Sequence, residues 1–175
     1  THAPGAFFQV CAAWAAQAFQ EVIEPWDLKG ETLYDLYGGV GFFSALFGKR
    51  FQRRVLVEAN PNATTHAHIN LTALGLSTEI YTTDVATWLP EGLGAPGDLL
   101  VLDPPRSGLE PTVAQRLSHA RAGRMVLIGC DGAAFCRDLQ CLESQWCLER
   151  LAFLDLFPWT VHVEGVALLV RRSAL

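Results

Sequence analysis

Apolar residues follow two alternating rhythms along this chain. Short unbroken runs of strand length, TLYDLY, RVLVEA, EIYTT, DLLVL and MVLIG, are separated by longer stretches in which apolar positions return every three or four residues. The first such stretch, residues 7–24, is Ala-rich and stops at Pro25, and the stretch from Pro61 to Leu74 carries proline in its first turn, as helices do. Residues 42–50, 112–122 and 133–145 read as further helices, and residues 85–92 as a short helix or loop. Strands alternating with helices predict a parallel sheet built from crossover units. The end of the chain breaks the rhythm, because residues 148–157 and 162–172 are two strand-like runs separated only by Pro158–Val161. So short a connection permits only antiparallel pairing. The expected fold is α/β: a doubly wound, mostly parallel, seven-stranded sheet finished by an antiparallel hairpin, in one domain over residues 1–175.

Half of the 175 residues are apolar, enough for a substantial core, and no apolar run approaches the roughly 20 residues of a membrane span. A soluble, cytoplasmic protein is expected. The sequence starts at Thr1 rather than Met, which we read as the C-terminal part of a longer protein. Cys11, Cys130, Cys136, Cys141 and Cys147 form no CxxC pair and make an odd count, so neither a zinc ribbon nor a disulfide framework is signalled, and no metal is expected. The formal net charge is −5 with the acids dispersed, which argues against a domain that holds nucleic acid through its own field. Lys49, Arg50, Arg53 and Arg54 cluster at the start of the second strand, where a solvated surface group is the expectation.

Candidate chemistry sits where the strands end. LVLDPPRSG stops at Asp103-Pro104-Pro105-Arg106 and MVLIGCDG at Cys130-Asp131-Gly132. In an open parallel sheet the carboxyl ends of strands hold the ligands, so a carboxylate, a rigid Pro-Pro turn and a thiol are expected to face one crevice. Earlier in the chain, Asp35-x-Tyr37-x-Gly39-x-Gly41 joins a strand to a helix but lacks both the pyrophosphate-binding G-x-G-x-x-G spacing and the Lys-Ser/Thr of a P-loop. Glu58 closes the second strand, where a carboxylate can accept from both hydroxyls of a ribose, and Asp84 closes the third, placed to meet an adenine edge. Three carboxylates would repel a pyrophosphate and suit an adenosine without phosphates, so S-adenosylmethionine fits better than NAD or ATP. The competing reading is that Asp35 and Asp84 cap helices or turns.

Cys130 is placed either as an activated nucleophile beside a helix start or as an inert buried thiol. Thr160, His162 and Glu164 are spaced by two and share a face if the strand is regular. Glu164 is then either a solvated strand start or a base in a partly apolar pocket. The residues alone leave both choices open.

In combination, FFQV, DLYGGVG, LDPPRSG, a cysteine after a strand, CRDL and LFPWTVHVEGVALL resemble the RNA uracil-5-methyltransferases over nearly the whole chain. That resemblance implies the class I, Rossmann-like methyltransferase fold, the methylation of C5 of a uridine, in ribosomal RNA more than transfer RNA, and S-adenosylmethionine as methyl donor. It makes Cys130 the nucleophile and Glu164 the general base. Tyr37, Gly39, Gly41, Glu58 and Asp84 would hold the cofactor, Gln9 and Asp103 the cofactor or the target uracil, and Arg106 the substrate. The chain departs from the pattern at Cys11, where Asn is usual, and at Gly129-Cys130-Asp131-Gly132, where Ser-Cys-Asn-Pro is usual. Asp131 then places an acid next to the thiol, which is expected to raise the thiol pKa. The RNA-binding barrel of the family is absent from these 175 residues, so RNA affinity is expected to come from outside this chain. Two other readings stand beside this one. An amino-methyltransferase of the DPP type needs an aromatic residue where Arg106 stands, and a catalytically silent S-adenosylmethionine-binding module needs none of the chemistry at Cys130.

Overall fold

Helix starts show why the local sequence folds as it does. Asn60 caps the helix that opens on Pro61, its side chain accepting from the amides of Asn62 (2.9 Å) and Ala63 (3.4 Å). Asp131 caps a later helix through the amide of Ala134 (2.9 Å). The structure, a computed structural model, describes residues 12–156, 159–160 and 163–172. Gln9, Cys11 and His162 lie outside the described residues.

The chain divides into two units, residues 1–88 and 89–175. In the first, α1 (Ala12–Ile23) is followed by β1 (Gly30–Leu36), α2 (Phe42–Phe47), β2 (Phe51–Glu58), α3 (Pro61–Ala73), β3 (Glu79–Thr82) and the short α4 (Val85–Trp88). β2 lies between β1 and β3, parallel to both, with Asp35 opposite Leu56 and Glu58 opposite Thr82. Its core is aromatic where α1 meets α2: the Phe19 ring stands edge-on to Phe42 and Phe43, at 5.8 and 5.2 Å between centroids. The three arginines of the basic cluster at the start of β2 are tied up structurally. Arg53 makes two hydrogen bonds to Glu79 (2.7 and 2.8 Å), Arg50 pairs with Glu24, and Arg54 donates to the carbonyls of Gly48, Phe51, Gln52 and Ser77.

The second unit holds β4 (Leu99–Leu102), α5 (Pro111–Ser118), β5 (Arg124–Gly129), α6 (Gly132–Leu142), β6 (Trp146–Leu154) and β7 (Glu164–Arg171). β4 and β5 are parallel, β7 runs antiparallel to β5, and β6 runs antiparallel to β7. The middle strands are the core, with Leu99–Leu102, Met125–Ile128 and Val166–Leu169 buried. Trp146 fills space beside them and donates its indole N–H to the Leu117 carbonyl (3.0 Å).

Among the described residues there are seven strands, and the expected parallel pairs and terminal antiparallel hairpin are present. Two expectations change. The connection between β6 and β7 runs from Asp155 to Val163, nine residues rather than four, because the buried register begins only at Glu164, opposite Leu154. Thr160 therefore lies in an exposed bend outside β7 and does not share a strand face with Glu164. No helix among the described residues is long and apolar enough to cross a membrane.

Candidate active site

The glycine loop of the first unit follows β1. Tyr37, Gly39 and Gly41 all have left-handed backbones, at φ +61°, +52° and +84°. Tyr37 is the uncommon case, since a side chain there is strained, and such strain tends to be kept where a loop has a task. Gly38 is required for another reason: a Cβ there would come within 2.6 Å of the Leu56 side chain. At Gly39 an added Cβ would meet nothing within 4 Å, so this side of the loop is open.

Carboxylates hold the loop from both sides. Asp35 is fully buried and accepts at Oδ2 from both the amide (2.8 Å) and the hydroxyl (2.6 Å) of Ser44 in the first turn of α2. Its Oδ1 is buried with no partner. Burial pushes the Asp35 carboxyl up to about 7, the Ser44 hydrogen bonds work against that rise, and the charge of Glu58 adds to it. Glu58 accepts from the Gly39 amide at Oε2 (3.1 Å) and from the Asn60 amide at Oε1 (2.7 Å), joining the end of β2 to the loop. Asp84 is exposed, and its Oδ1 caps α4 through the amides of Ala86 (2.7 Å) and Thr87 (3.3 Å). The capping alternative thus describes one oxygen each of Asp35 and Asp84.

In the second unit the register assembles the chemistry. Gly129, the last residue of β5, stands opposite Gly165 of β7, so Cys130, just past the end of β5, and Glu164, the first residue of β7, lie at the same end of the strand pair. Cys130 is half-buried and Glu164 is buried. Burial is the main reason the Cys130 thiol is pushed up; the charges of Glu164 and Asp103 add to the effect and that of Arg106 opposes it. Burial likewise raises the Glu164 carboxyl, again opposed by Arg106. Cys130, Glu164, Asp103 and Arg106 therefore form one electrostatic group. For this thiol, burial outweighs its place before a helix in setting the direction of the shift. Asp131 is not the cause, because its carboxylate turns to the Ala134 amide and is not among the charges acting on the thiol.

Two residues of α6 that sequence reasoning left without a role shape this group. Phe135 lies against the paired glycines: a Cβ at Gly129 or Gly165 would come within 2.7 Å of its ring. Asp138 is buried and accepts at Oδ2 from the Leu109 amide (2.8 Å), in the loop that carries Arg106. Cys136 and Cys141, exposed on α6, and Cys147, half-buried on β6, take no part.

Comparison with known proteins fits this geometry. Residues 97–172, which include Asp103, Arg106, Cys130 and Glu164, match the family tRNA (Uracil-5-)-methyltransferase. This stretch of the chain is similar to that family. It is 31% identical over 174 residues to an RNA methyltransferase of Nostoc, covering 98% of this chain and 38% of that protein. With an RNA methyltransferase of Parasynechococcus marenigrum it shares 35% identity, over 96% of this chain and 37% of the relative. The crystal structure of Pyrococcus abyssi tRNA (uracil-54, C5)-methyltransferase in complex with S-adenosyl-L-homocysteine superposes with a TM-score of 0.79 at 30% identity, over 95% of this chain and 41% of that one. The fold is that of S-adenosylmethionine-dependent methyltransferases, and the chain spans well under half the length of these relatives.

Proposed function

We propose that this chain is the catalytic part of an S-adenosylmethionine-dependent RNA methyltransferase that acts on C5 of a uridine through a covalent adduct with Cys130. The observation that carries the proposal is the placement of Cys130 and Glu164 at the same end of the β5–β7 pair, with Arg106 and Asp103 acting on the same thiol. Uracil C5 is a weak nucleophile. Addition of the Cys130 thiolate to C6 forms an S–C bond and moves the C5–C6 π electrons toward the C4 oxygen, which turns C5 into an enolate carbon. When bound, S-adenosylmethionine supplies an electrophilic methyl group to that carbon. Glu164 then takes the C5 proton, the double bond re-forms and the thiolate leaves. Formation of the thioether also removes the negative charge that Glu164 faces, so the two acidic groups are compatible within one cycle.

The first unit offers a fit for the cofactor. Each oxygen of Glu58 uses one acceptor position on a backbone amide and keeps another, enough for two ribose hydroxyls. The Cβ side of Gly39 is open, Tyr37 and Gly41 shape the turn, and the unpartnered Oδ1 of Asp35 lies at the root of the loop. Asp84 keeps its second oxygen for an adenine edge, and Gln9 and Asp103 complete the set that the resemblance implies. The target base has to leave its stack to expose C6, which favours single-stranded or looped RNA. Ribosomal RNA is the substrate class we carry forward, with transfer RNA as the second reading because the Pyrococcus relative is named for it. The net charge of −5 supports RNA affinity supplied by a part of the protein outside these residues.

Incubation with 5-fluorouridine RNA and S-adenosylmethionine tests the proposal, since fluorine at C5 cannot be removed as a proton and the adduct stalls. A denaturation-resistant protein–RNA band whose crosslink maps to Cys130 is expected. Methylation of ordinary RNA that persists in Cys130→Ala overturns the adduct and moves amino-group methylation ahead.

A further inference from the structure

The CRDL segment of α6 has no part in the chemistry above, yet it holds the loop that follows β4. That loop turns tightly at Pro105–Gly108, closed by the Gly108 amide on the Pro105 carbonyl (2.7 Å), with Arg106 at the first corner. Arg137 donates through Nη2 both to the Ser107 carbonyl (2.6 Å) and to Oδ1 of Asp138 (2.9 Å). Oδ2 of Asp138 accepts from the Leu109 amide (2.8 Å). The turn is thus pinned on the residue after Arg106 and again two residues later. Gly108, left-handed at φ +78°, is what lets the pair approach: a Cβ there would lie 2.2 Å from Arg137 Nη2 and 2.5 Å from Asp138 Oδ2. On the other side, Pro104 and Pro105 fix the backbone dihedrals leading into the turn.

We propose that Arg137 and Asp138 form a clamp that positions Arg106 against Cys130 and Glu164, which makes Asp138 a positioning residue for the reaction. α6 begins two residues after Cys130, so one rigid helix sets both the thiol and the turn that carries the guanidinium. Asp138 is 3% exposed and accepts from this loop and from Arg137, whereas Arg106 is itself exposed and the clamp reaches it through the backbone of Ser107 and Leu109. Among the charged groups acting on the thiol, Glu164 at the start of β7 and Asp103 after β4 both disfavour the thiolate, and Arg106 is the side chain that favours it. A loosened turn weakens that favourable charge. The catalytic meaning of the clamp rests on Cys130 being the nucleophile; its effect on the thiol does not.

The test is therefore the pH profile of Cys130 alkylation by iodoacetamide, read on the Cys130 peptide by mass spectrometry with the full chain and without RNA or cofactor. Asp138→Ala and Arg106→Gln are each expected to move the profile toward alkaline pH by about 0.5–1 unit, a roughly 3- to 10-fold slower reaction at neutral pH. The double variant should shift no further than Arg106→Gln alone, and Asp138→Asn, which keeps an acceptor for the Leu109 amide, should recover part of the wild-type rate. A folded Asp138→Ala with the wild-type profile, additive shifts in the double variant, or no shift in Arg106→Gln overturns the clamp. If Asp138→Ala does not fold, Arg137→Gln decides, because that side chain is 52% exposed and its loss leaves Asp138 on the Leu109 amide. A wild-type profile there overturns the clamp as well. Failure of wild-type protein to form the fluorouridine adduct, with the alkylation shifts intact, sinks the methylation mechanism and leaves the clamp standing.

Discussion

Cys130 and Glu164 lie at the same end of an antiparallel strand pair, one step beyond the glycine pair Gly129 and Gly165. Both strands are buried over most of their length, so a ladder shifted by one residue would have to repack the core on both faces and would carry Glu164 away from the end of β5. Burial raises both groups toward the neutral form, and the charge of Glu164 adds to the rise of the thiol.

The proposed roles separate in two variants. Cys130→Ala should form no adduct and no methylated RNA. Glu164→Gln should accumulate a covalent protein–RNA species on ordinary RNA that requires S-adenosylmethionine, because the methylated adduct keeps its C5 proton. Removing the Glu164 charge also relieves the thiol, so Cys130 in Glu164→Gln should alkylate faster than wild type at neutral pH. An unchanged or slower alkylation rate counts against the cross-strand coupling.

Activity should rise with pH. The thiol must lose its proton to add and Glu164 must be unprotonated to take one, and both groups titrate above their ordinary values. The two requirements fail in the same direction, on the acid side, so kcat/KM should climb through the neutral range instead of peaking below it. Arg106→Gln removes the charge that opposes both shifts and should move the whole rise toward alkaline pH. A profile that falls between pH 6 and 8 contradicts this.

Asp131 should matter little to the chemistry. Its side chain is engaged with the Ala134 amide at the start of α6, a contact that Asn makes equally well. We predict near wild-type methylation in Asp131→Asn and a loss of about 0.5–2 kcal/mol of stability in Asp131→Ala, read by denaturant titration. A large gain of activity in Asp131→Asn would restore the acid as a brake on the thiol.

What the sequence made legible were features that depend on a residue and its near neighbours: strand runs, proline and Asx helix starts, and acids or a thiol at strand ends. Glu58 and Asp84 were recognisable because each closes a strand-like run, and Asp35 because it precedes the glycine turn that ends one. The span between β6 and β7 was not, since Asp155 and Leu156 continue the strand-like pattern of β6 without a partner on β7. Phe135 and Asp138 were invisible as site residues for a different reason. Their partners, Gly165 and Leu109, are 30 and 29 residues away, and only strand register and the docking of α6 bring them together. The thiol's raised pKa is likewise a tertiary effect. Its sequence neighbour Asp131 was visible but turns to the Ala134 amide, while burial and then Glu164, 34 residues on, raise the thiol.

Asp35 gives a stability test whose sign follows from burial. The folded carboxyl keeps its proton to about pH 7, whereas the unfolded one loses it near 3.8. Between those values the native state binds more protons, so this group's contribution to stability falls as pH rises through the window and levels off above about 7. Asp35→Asn cannot ionise and keeps an acceptor for Ser44. Its stability relative to wild type should therefore grow from pH 4 to 7, by up to roughly 1.4 kcal/mol per unit. Paired urea titrations across that range measure the difference, and a constant gap between the two proteins would show that the buried carboxyl does not hold its proton.

The last prediction concerns the support beneath the Cys130–Glu164 pair. Phe135 occupies the space that two side chains would take at Gly129 and Gly165, with its Cδ2 facing the first and its Cε1 the second. Gly165→Ala puts a methyl group 2.7 Å from the ring, so either the ring or the β7 backbone next to Glu164 has to shift. The expected cost is about 1–3 kcal/mol, as for overpacking in a close-packed core. Phe135→Leu alone leaves a void and should cost about 1 kcal/mol or more. In the double variant the smaller side chain makes room for the methyl group, and the combined loss should fall short of the sum by about 1 kcal/mol. Fluorouridine adduct formation should follow the same pattern, slowed in Gly165→Ala and partly restored in the double variant, because a shifted β7 carries Glu164 with it. Additive stability losses would mean that the ring does not rest on the glycine pair. A stability coupling without recovery of adduct formation would confine Phe135 to packing and leave the geometry of the pair to β5 and β7 alone.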